Sequence, residues 1–183
     1  MDKAGQKMRA AEAAARVPDI VIITGMSGSG RTQALHAFED MGYYCLDNLP
    51  PRLILQLAQL VGINSGVGRH LAVTSDLRSQ GLFEELSDAL TQLSAHELTY
   101  KVVFLEASDE VLIRRYKENR RRHPLAFEGE SLEHAIERER KQLAKAKDVA
   151  DLVIDTSHMR TSVLRSPRQQ AFSELSDQKL RVV

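Results

Sequence analysis

A three-layer α/β sandwich around a mostly parallel, five-stranded sheet is the fold class the sequence predicts, on two observations. From Asp19 onward, short β-branched apolar runs alternate with longer stretches of helical period, the pattern of parallel strands joined by crossover helices. The first run, IVIIT, passes through the glycine- and serine-rich GMSGSGRT directly into the helix-like QALHAFEDM. A chain of 183 residues, 43% of them hydrophobic, can bury one full core.

The strands expected in order are Ile20 to Thr24, Tyr43 to Leu46, Leu71 to Ser75, Val102 to Glu106 and Leu152 to Asp155. Each is short and mostly apolar, as a strand covered on both faces should be. Helices are expected near residues 31 to 41, 51 to 62, 82 to 96, 109 to 121 and 131 to 147, each long enough for a right-handed crossover. Gly62 to Gly68, GINSGVG, reads as a connection, and Glu128 to Ser131 as a turn. Residues 1–18, rich in Ala, Lys and Arg and stopped by Pro18, read as a mobile arm. The domain proper is expected over residues 19–160. Residues 161–183 read as a poorly packed helical tail interrupted by Pro167.

Charge and composition exclude several function classes. The 25 basic and 25 acidic residues cancel, so no overall field draws the chain to nucleic acid or to an anionic membrane, and any polyanion site must be local. No apolar run approaches the roughly 18 to 20 residues a membrane helix needs, and no signal-peptide core is visible, which predicts a soluble, cytoplasmic protein. The single Cys45, set in YYCLD, has no disulfide partner and no metal-site spacing, and reads as a core thiol.

The stretch Gly25, Met26, Ser27, Gly28, Ser29, Gly30, Arg31, Thr32 matches G-x-x-x-x-G-K-[ST] except that arginine stands at the lysine position. In that pattern the glycines let the backbone bend until its N–H groups converge on phosphate oxygens at a helix N-terminus. Thr32 would supply a hydroxyl to Mg²⁺, and the small Ser27, Gly28 and Ser29 allow close approach. Arg31 keeps the charge but presents a planar fork in place of a compact ammonium, so binding should survive better than turnover. The competing reading is an ordinary Gly/Ser turn. The flanking strand and helix favour the phosphate loop and, with it, a P-loop NTPase/kinase-like sandwich.

Other polar groups are placed less uniquely. Asp76 closes the run LAVTSD, where a carboxylate can orient Mg²⁺ or its water, or simply cap a strand end. Arg78 lies two residues on, suited to a base, a phosphate or a surface ion pair. Asp47 in DNLP reads equally as a substrate contact or as a helix cap. Arg114, Lys117 and Arg121 recur at spacings of three and four, which aligns them on one helix face with Leu112 and Tyr116 turned inward. That face, thickened by Arg120 and Arg122, is either an arginine-bearing lid or a solvated basic surface. His123 is expected at the surface or in a hinge, and no catalytic base is assigned. The Ser131 to Lys147 helix, with Glu133 and Glu137 near Arg140 and Lys141, reads as a salt-laced outer face.

Four ordered blocks carry a resemblance: ITGMSGSGRTQALHAFEDMGYYCLDNLPPRLI, VTSDLRS, FLEASDEVLIRRYKENRRRHPL and DLVIDTS. Together, from about Asp19 to Ser157, they resemble the N-terminal part of the RapZ/YvcJ family of bacterial nucleotide-binding proteins, also called RNase adapter proteins. The resemblance implies that Gly25 through Thr32 bind ATP, that Asp76, Leu77, Arg78 and Ser79 bind GTP, and that ATPase and GTPase activities are low. Members of that family continue into a C-terminal domain credited with RNA binding and partner contact, whereas this chain ends at Val183. The functional expectation is a regulatory domain that binds ATP and GTP with Mg²⁺ and hydrolyses them slowly. A small-molecule P-loop kinase and an RNA-binding or ribonuclease-adapter module are the alternatives.

Overall fold

Ile20–Gly25 has no solvent-exposed residue, and it forms the central strand, β1. A computed structural model describes residues 19–63, 70–78, 81–120 and 122–159. The expected arm, the tail, Ser79, Arg121 and most of GINSGVG therefore lie outside the described residues. The other strands are β2 (Tyr44–Leu46), β3 (Leu71–Thr74), β4 (Tyr100–Glu106) and β5 (Leu152–Asp155). They lie in the order β2-β3-β1-β4-β5, and every pairing is parallel.

The helices are α1 (Arg31–Asp40), α2 (Ile54–Leu60), α3 (Leu82–Ala95), α4 (Asp109–Asn119), α5 (Leu132–Gln142) and α6 (Ala144–Asp148). Strand alternation sends successive side chains to opposite faces. Ile20, Ile22, Leu71, Val73, Val102 and Phe104 pack with residues from α2 to α6, among them Ile54, Leu93, Leu112, Ile136 and Ala146. Val21, Ile23, Ala72, Val103, Leu105 and Ile154 meet Ala34, Leu35 and Phe38 of α1. Among the described residues α1 is the helix that covers this second face, so its position is set by apolar contact along its length.

The differences from the expected boundaries have local causes. Pro50 and Pro51 restrict the chain entering the second expected helix, which becomes a 3-10 turn over Pro51–Leu53 followed by the short α2. The helix expected over 131 to 147 divides at Leu143, whose φ of −89° and ψ of 0° close α5 and open α6. Arg120 caps α4 in the left-handed region at φ +50°, so that helix stops short of Arg121. Ser108 and Ser131 cap α4 and α5, accepting hydrogen bonds from the N–H groups of Val111 and His134.

Parallel pairing brings the carboxyl ends of β3, β1 and β4 side by side, with Ile23 opposite Thr74 and Gly25 opposite Leu105. In open α/β sheets this edge is where ligands bind. The glycine-rich loop sits directly over it.

Candidate phosphate-binding site

The loop is bent by its glycines. Gly25, Gly28 and Gly30 have φ of +135°, +82° and +101°. At Gly25 the requirement is double, because an added Cβ would also overlap the backbone of Leu105. A side chain at Gly28 would reach the Tyr116 ring at 3.4 Å and Leu112 at 3.5 Å. Met26, fully buried, anchors the bend in the core and donates its N–H to the Leu105 carbonyl at 2.9 Å.

The loop's carbonyl oxygens are held by groups that surround it. Arg115 of α4 donates to the Gly28 oxygen at 2.9 Å and to both the hydroxyl and the carbonyl of Thr156, at 3.1 and 2.8 Å. The Thr156 hydroxyl also lies 2.8 Å from the Ser29 oxygen, and the Ser29 N–H closes a turn onto the Met26 oxygen at 3.1 Å. With these oxygens engaged, the bend leads straight into α1, whose first-turn N–H groups have no intrahelical acceptor. Gly30 precedes α1 without a side-chain cap, and the first turn of α1 carries no acid, whereas α3, α4 and α5 each do. Such a turn is electrostatically suited to an anion.

One carboxylate enters the loop from a place the sequence did not suggest. Glu139 of α5 is completely buried and accepts the Ser27 N–H on both oxygens at 3.1 Å, and the Ser27 hydroxyl at 2.5 Å. His123 completes its surroundings at 3.1 Å from Nε2. The Leu125 N–H donates to His123 Nδ1 at 3.2 Å, which makes that nitrogen an acceptor and leaves Nε2 as the donor to Glu139. His123 is only 3% exposed, so the expected surface or hinge position is corrected: the imidazole is part of the polar core behind the loop. A signal for Glu139 did exist. It falls on the stripe that also carries Ala135, Ile136, Leu143 and Ala146, all buried, and a carboxylate on an apolar stripe demands buried partners.

The Asp76 segment faces the loop from β3. The strand ends at Thr74, so Asp76, Leu77 and Arg78 belong to the following loop and not to a continued strand face. Leu77 is buried in the core. Arg78 donates its N–H and Nε to one Asp76 oxygen, at 3.1 and 2.6 Å, and Nη2 to the other. Its Nη1 reaches the Ser27 hydroxyl at 2.7 Å, and its Nε lies 3.8 Å from Glu139. Burial would raise the Asp76 carboxyl, but hydrogen bonds from Arg78, with the charges of Arg78 and Arg31, outweigh it and hold the group below the ordinary range. Arg31 points its guanidinium toward this segment, with Nη1 3.5 Å from the Ser75 oxygen.

These elements enclose an open cleft of about 610 Å³, whose lining includes Ser27, Gly28, Gly30, Arg31, Thr32 and Arg78. Arg115, Tyr116 and Arg122 line it as well. The basic helix therefore contributes a different residue from those its spacing singled out. Arg114 and Lys117 are outside the cleft lining, while Arg115, three residues after the buried Leu112, faces the loop. Asp47 neither caps a helix nor meets the cleft: it accepts the Thr74 hydroxyl and ties β2 to β3. Cys45 is half-buried, its thiol pushed up to about 11 by burial and by Glu39. Among the described residues no cluster of three or more His, Cys, Asp or Glu is arranged to hold a metal ion, and no helix is long and apolar enough to cross a membrane.

Comparison with solved structures returns P-loop kinases. A shikimate kinase of Acinetobacter baumannii in complex with shikimate superposes with a TM-score of 0.57 at 19% identity, covering 93% of this chain and 99% of the other. A gluconokinase of Sinorhizobium meliloti gives 0.52 at 16% identity, covering 89% and 94%. These likenesses establish the fold, a P-loop kinase-like three-layer sandwich. Sequence relatives are much nearer. A nucleotide-binding protein of Symbiobacterium thermophilum is 46% identical over 155 residues, covering 85% of this chain and 51% of that protein. One from Caldicellulosiruptor bescii is 42% identical over 166 residues, covering 90% and 57%. The chain thus spans about half the length of these curated relatives. The model of the RapZ-like N-terminal domain matches residues 18–175, and the chain belongs to that family.

Proposed function

We propose that this chain is a nucleoside triphosphate-binding regulatory domain that takes ATP and GTP on the loop from Gly25 to Thr32 and hydrolyses them slowly. The observation that carries the reading is the loop itself: three glycines at positive φ bend it into the uncapped first turn of α1 beside the cleft, while Arg115 and Thr156 engage the Gly28 and Ser29 oxygens. The name the relatives carry, nucleotide-binding protein, supports the ligand class. The guanidinium groups of Arg31, Arg78, Arg115 and Arg122 line the place a triphosphate would occupy.

The donor set suits Mg²⁺. Thr32, which lines the cleft, and Asp76, which lies outside that lining and pairs with Arg78, would offer hard oxygen ligands of the kind that bind this ion beside substrate phosphates. Bound there, the ion would supply positive charge that offsets the charge of the phosphates. The chain's own residues set the pace. Asp76 is committed to Arg78, so it is not poised to orient a water, and Arg31 replaces the compact lysine ammonium. Turnover on the order of 10⁻³ s⁻¹, the range of unassisted P-loop triphosphatases, is expected.

Isothermal titration with ATP, GTP and their non-hydrolysable analogues in the presence of Mg²⁺ tests the reading. Saturable binding at one site supports it, and no binding by folded protein removes it. A small-molecule kinase is the second reading, favoured by the arginine lining, which carries more positive charge than a magnesium–triphosphate complex needs. Rapid transfer of the γ-phosphate to a metabolite, outpacing release to water, would establish that alternative. An RNA-binding or ribonuclease-adapter module is the third reading, and it rests on the resemblance alone. Its test on this chain is RNA binding at moderate salt before and after charge reversal at Arg120 and Arg122.

A further inference from the structure

Arg78 stands between two carboxylates of unequal standing. Asp76, 22% exposed, holds it by a forked pair, while Glu139, wholly buried, lies 3.8 Å from its Nε. Glu139 is compensated by Ser27 and His123 hydrogen bonds and has no closer cation among the described residues. A buried carboxylate whose cation stands off at 3.8 Å is only loosely paired, and it gains when the guanidinium closes to hydrogen-bond distance. Asp76, meanwhile, is the carboxylate that a magnesium–nucleotide complex would claim.

We propose that Glu139 is a positioning residue and that Arg78 is a toggle: it pairs with Asp76 in the free protein and moves onto Glu139 when Asp76 is claimed by metal and nucleotide. The trigger rests on the nucleotide-binding reading above. The pair of alternative partners does not.

The toggle has a mechanical consequence. Glu139 accepts from Ser27 in the phosphate loop and from His123, and His123 accepts from the Leu125 N–H in the turn between α4 and α5. That turn is fastened to α5 by further contacts: Arg138 donates to the Leu125 oxygen and to Glu130, and its guanidinium lies over the Phe127 ring. A guanidinium arriving at Glu139 neutralises the charge at the centre of this chain of bonds and tightens loop, turn and α5 against each other. Two discrete partners for one arginine supply the two-state element that long-range coupling requires. The occupant of the loop is thereby reported at residues 122–130, on the surface beside the cleft.

Hydrogen exchange on the whole chain tests this without any activity measurement. Asp76→Asn removes the competing charge at a partly exposed site, so Arg78 should already rest on Glu139 in the ligand-free variant. Exchange across 122–130, the Leu125 amide included, and at the Ser27 amide should slow about tenfold relative to wild type, the scale of one added charge-assisted bond. Magnesium and ATP should slow the same amides in wild type. In Glu139→Gln those amides should exchange faster and should not respond to Asp76→Asn. Unchanged exchange in ligand-free Asp76→Asn overturns the toggle, as does an equal response to Asp76→Asn in the Glu139→Gln background. Should Glu139→Gln fail to fold, the Asp76→Asn comparison decides alone. Absence of nucleotide binding to wild type would remove the trigger and the functional reading together, and exchange in ligand-free Asp76→Asn would still decide whether Arg78 has two partners.

Discussion

The two flanks of the phosphate loop are built on different principles. Toward β4 and β5, the Gly28 and Ser29 oxygens are tied by Arg115 and Thr156, and Gly25 lies flush against Leu105. Each of these contacts holds the loop by its backbone. On the other flank the loop meets Arg78, from the segment after β3, and Glu139 of α5, with Asp76 paired to Arg78. One flank fixes the shape of the loop, and the other holds the charged groups on which the proposed toggle depends.

The sharpest way to break the fixed flank is Gly25→Ala. With φ at +135° and backbone in the way of the new methyl, a loss of about 3 kcal/mol or more in urea unfolding is expected, and an unchanged midpoint would show that the loop can relax. Arg115→Ala frees the Gly28 and Thr156 acceptors at once. We expect about 2 kcal/mol of destabilisation together with at least a roughly tenfold loss of ATP affinity, whereas loss of affinity without destabilisation would show that Arg115 acts only on ligand. Arg31→Ala, whose side chain makes one long contact, should weaken ATP binding about tenfold and leave the melting temperature unchanged.

The charged flank is sharpened by pH. Because the Asp76 carboxyl is held low in the folded state, its contribution is present above its unfolded value of about 3.9 and is lost as pH falls through the folded value. Wild type should exceed Asp76→Asn by about 1 kcal/mol at neutral pH, with the gap closing on acidification below about pH 4 and not on raising pH above neutrality. The smallest effect is expected farthest from the loop. Lys141→Ala breaks an exposed i,i+4 contact with Glu137 and should not move the melting temperature measurably.

How much was legible in the sequence follows the same division. The five strands, α1 and the glycine loop could be read because each is a local pattern: apolar runs, helical period, and residues that alone tolerate the required φ. The salt-laced face of α5 was legible in part. Lys141 pairs with Glu137 as its spacing suggests, but Arg140 reaches instead to Asp109 and Glu106. Glu139 and His123 were not legible as a pair, because what brings them to Ser27 is the packing of α5 under the loop, 112 residues away in sequence. Arg115 was hidden among neighbouring cations. A face assigned by charge spacing put Arg114 and Lys117 forward, whereas the face is set by Val111 and Leu112 in the core. Proline at 50 and 51 was visible, yet its conversion of a helix start into a 3-10 turn depended on how the chain leaves β2.

Thr156, which steadies the Ser29 oxygen across 127 residues, lies just past β5, the last strand among the described residues, and this bears on the order in which the loop's supports are assembled. A nascent chain emerging from the ribosome can form β1, α1 and even the central pairings early, but its anion cradle is unfinished until β5 has docked and carried Thr156 into place. Completion of the cradle is thus a late step as this fold is made, because it waits on a contact between the first loop and the end of β5.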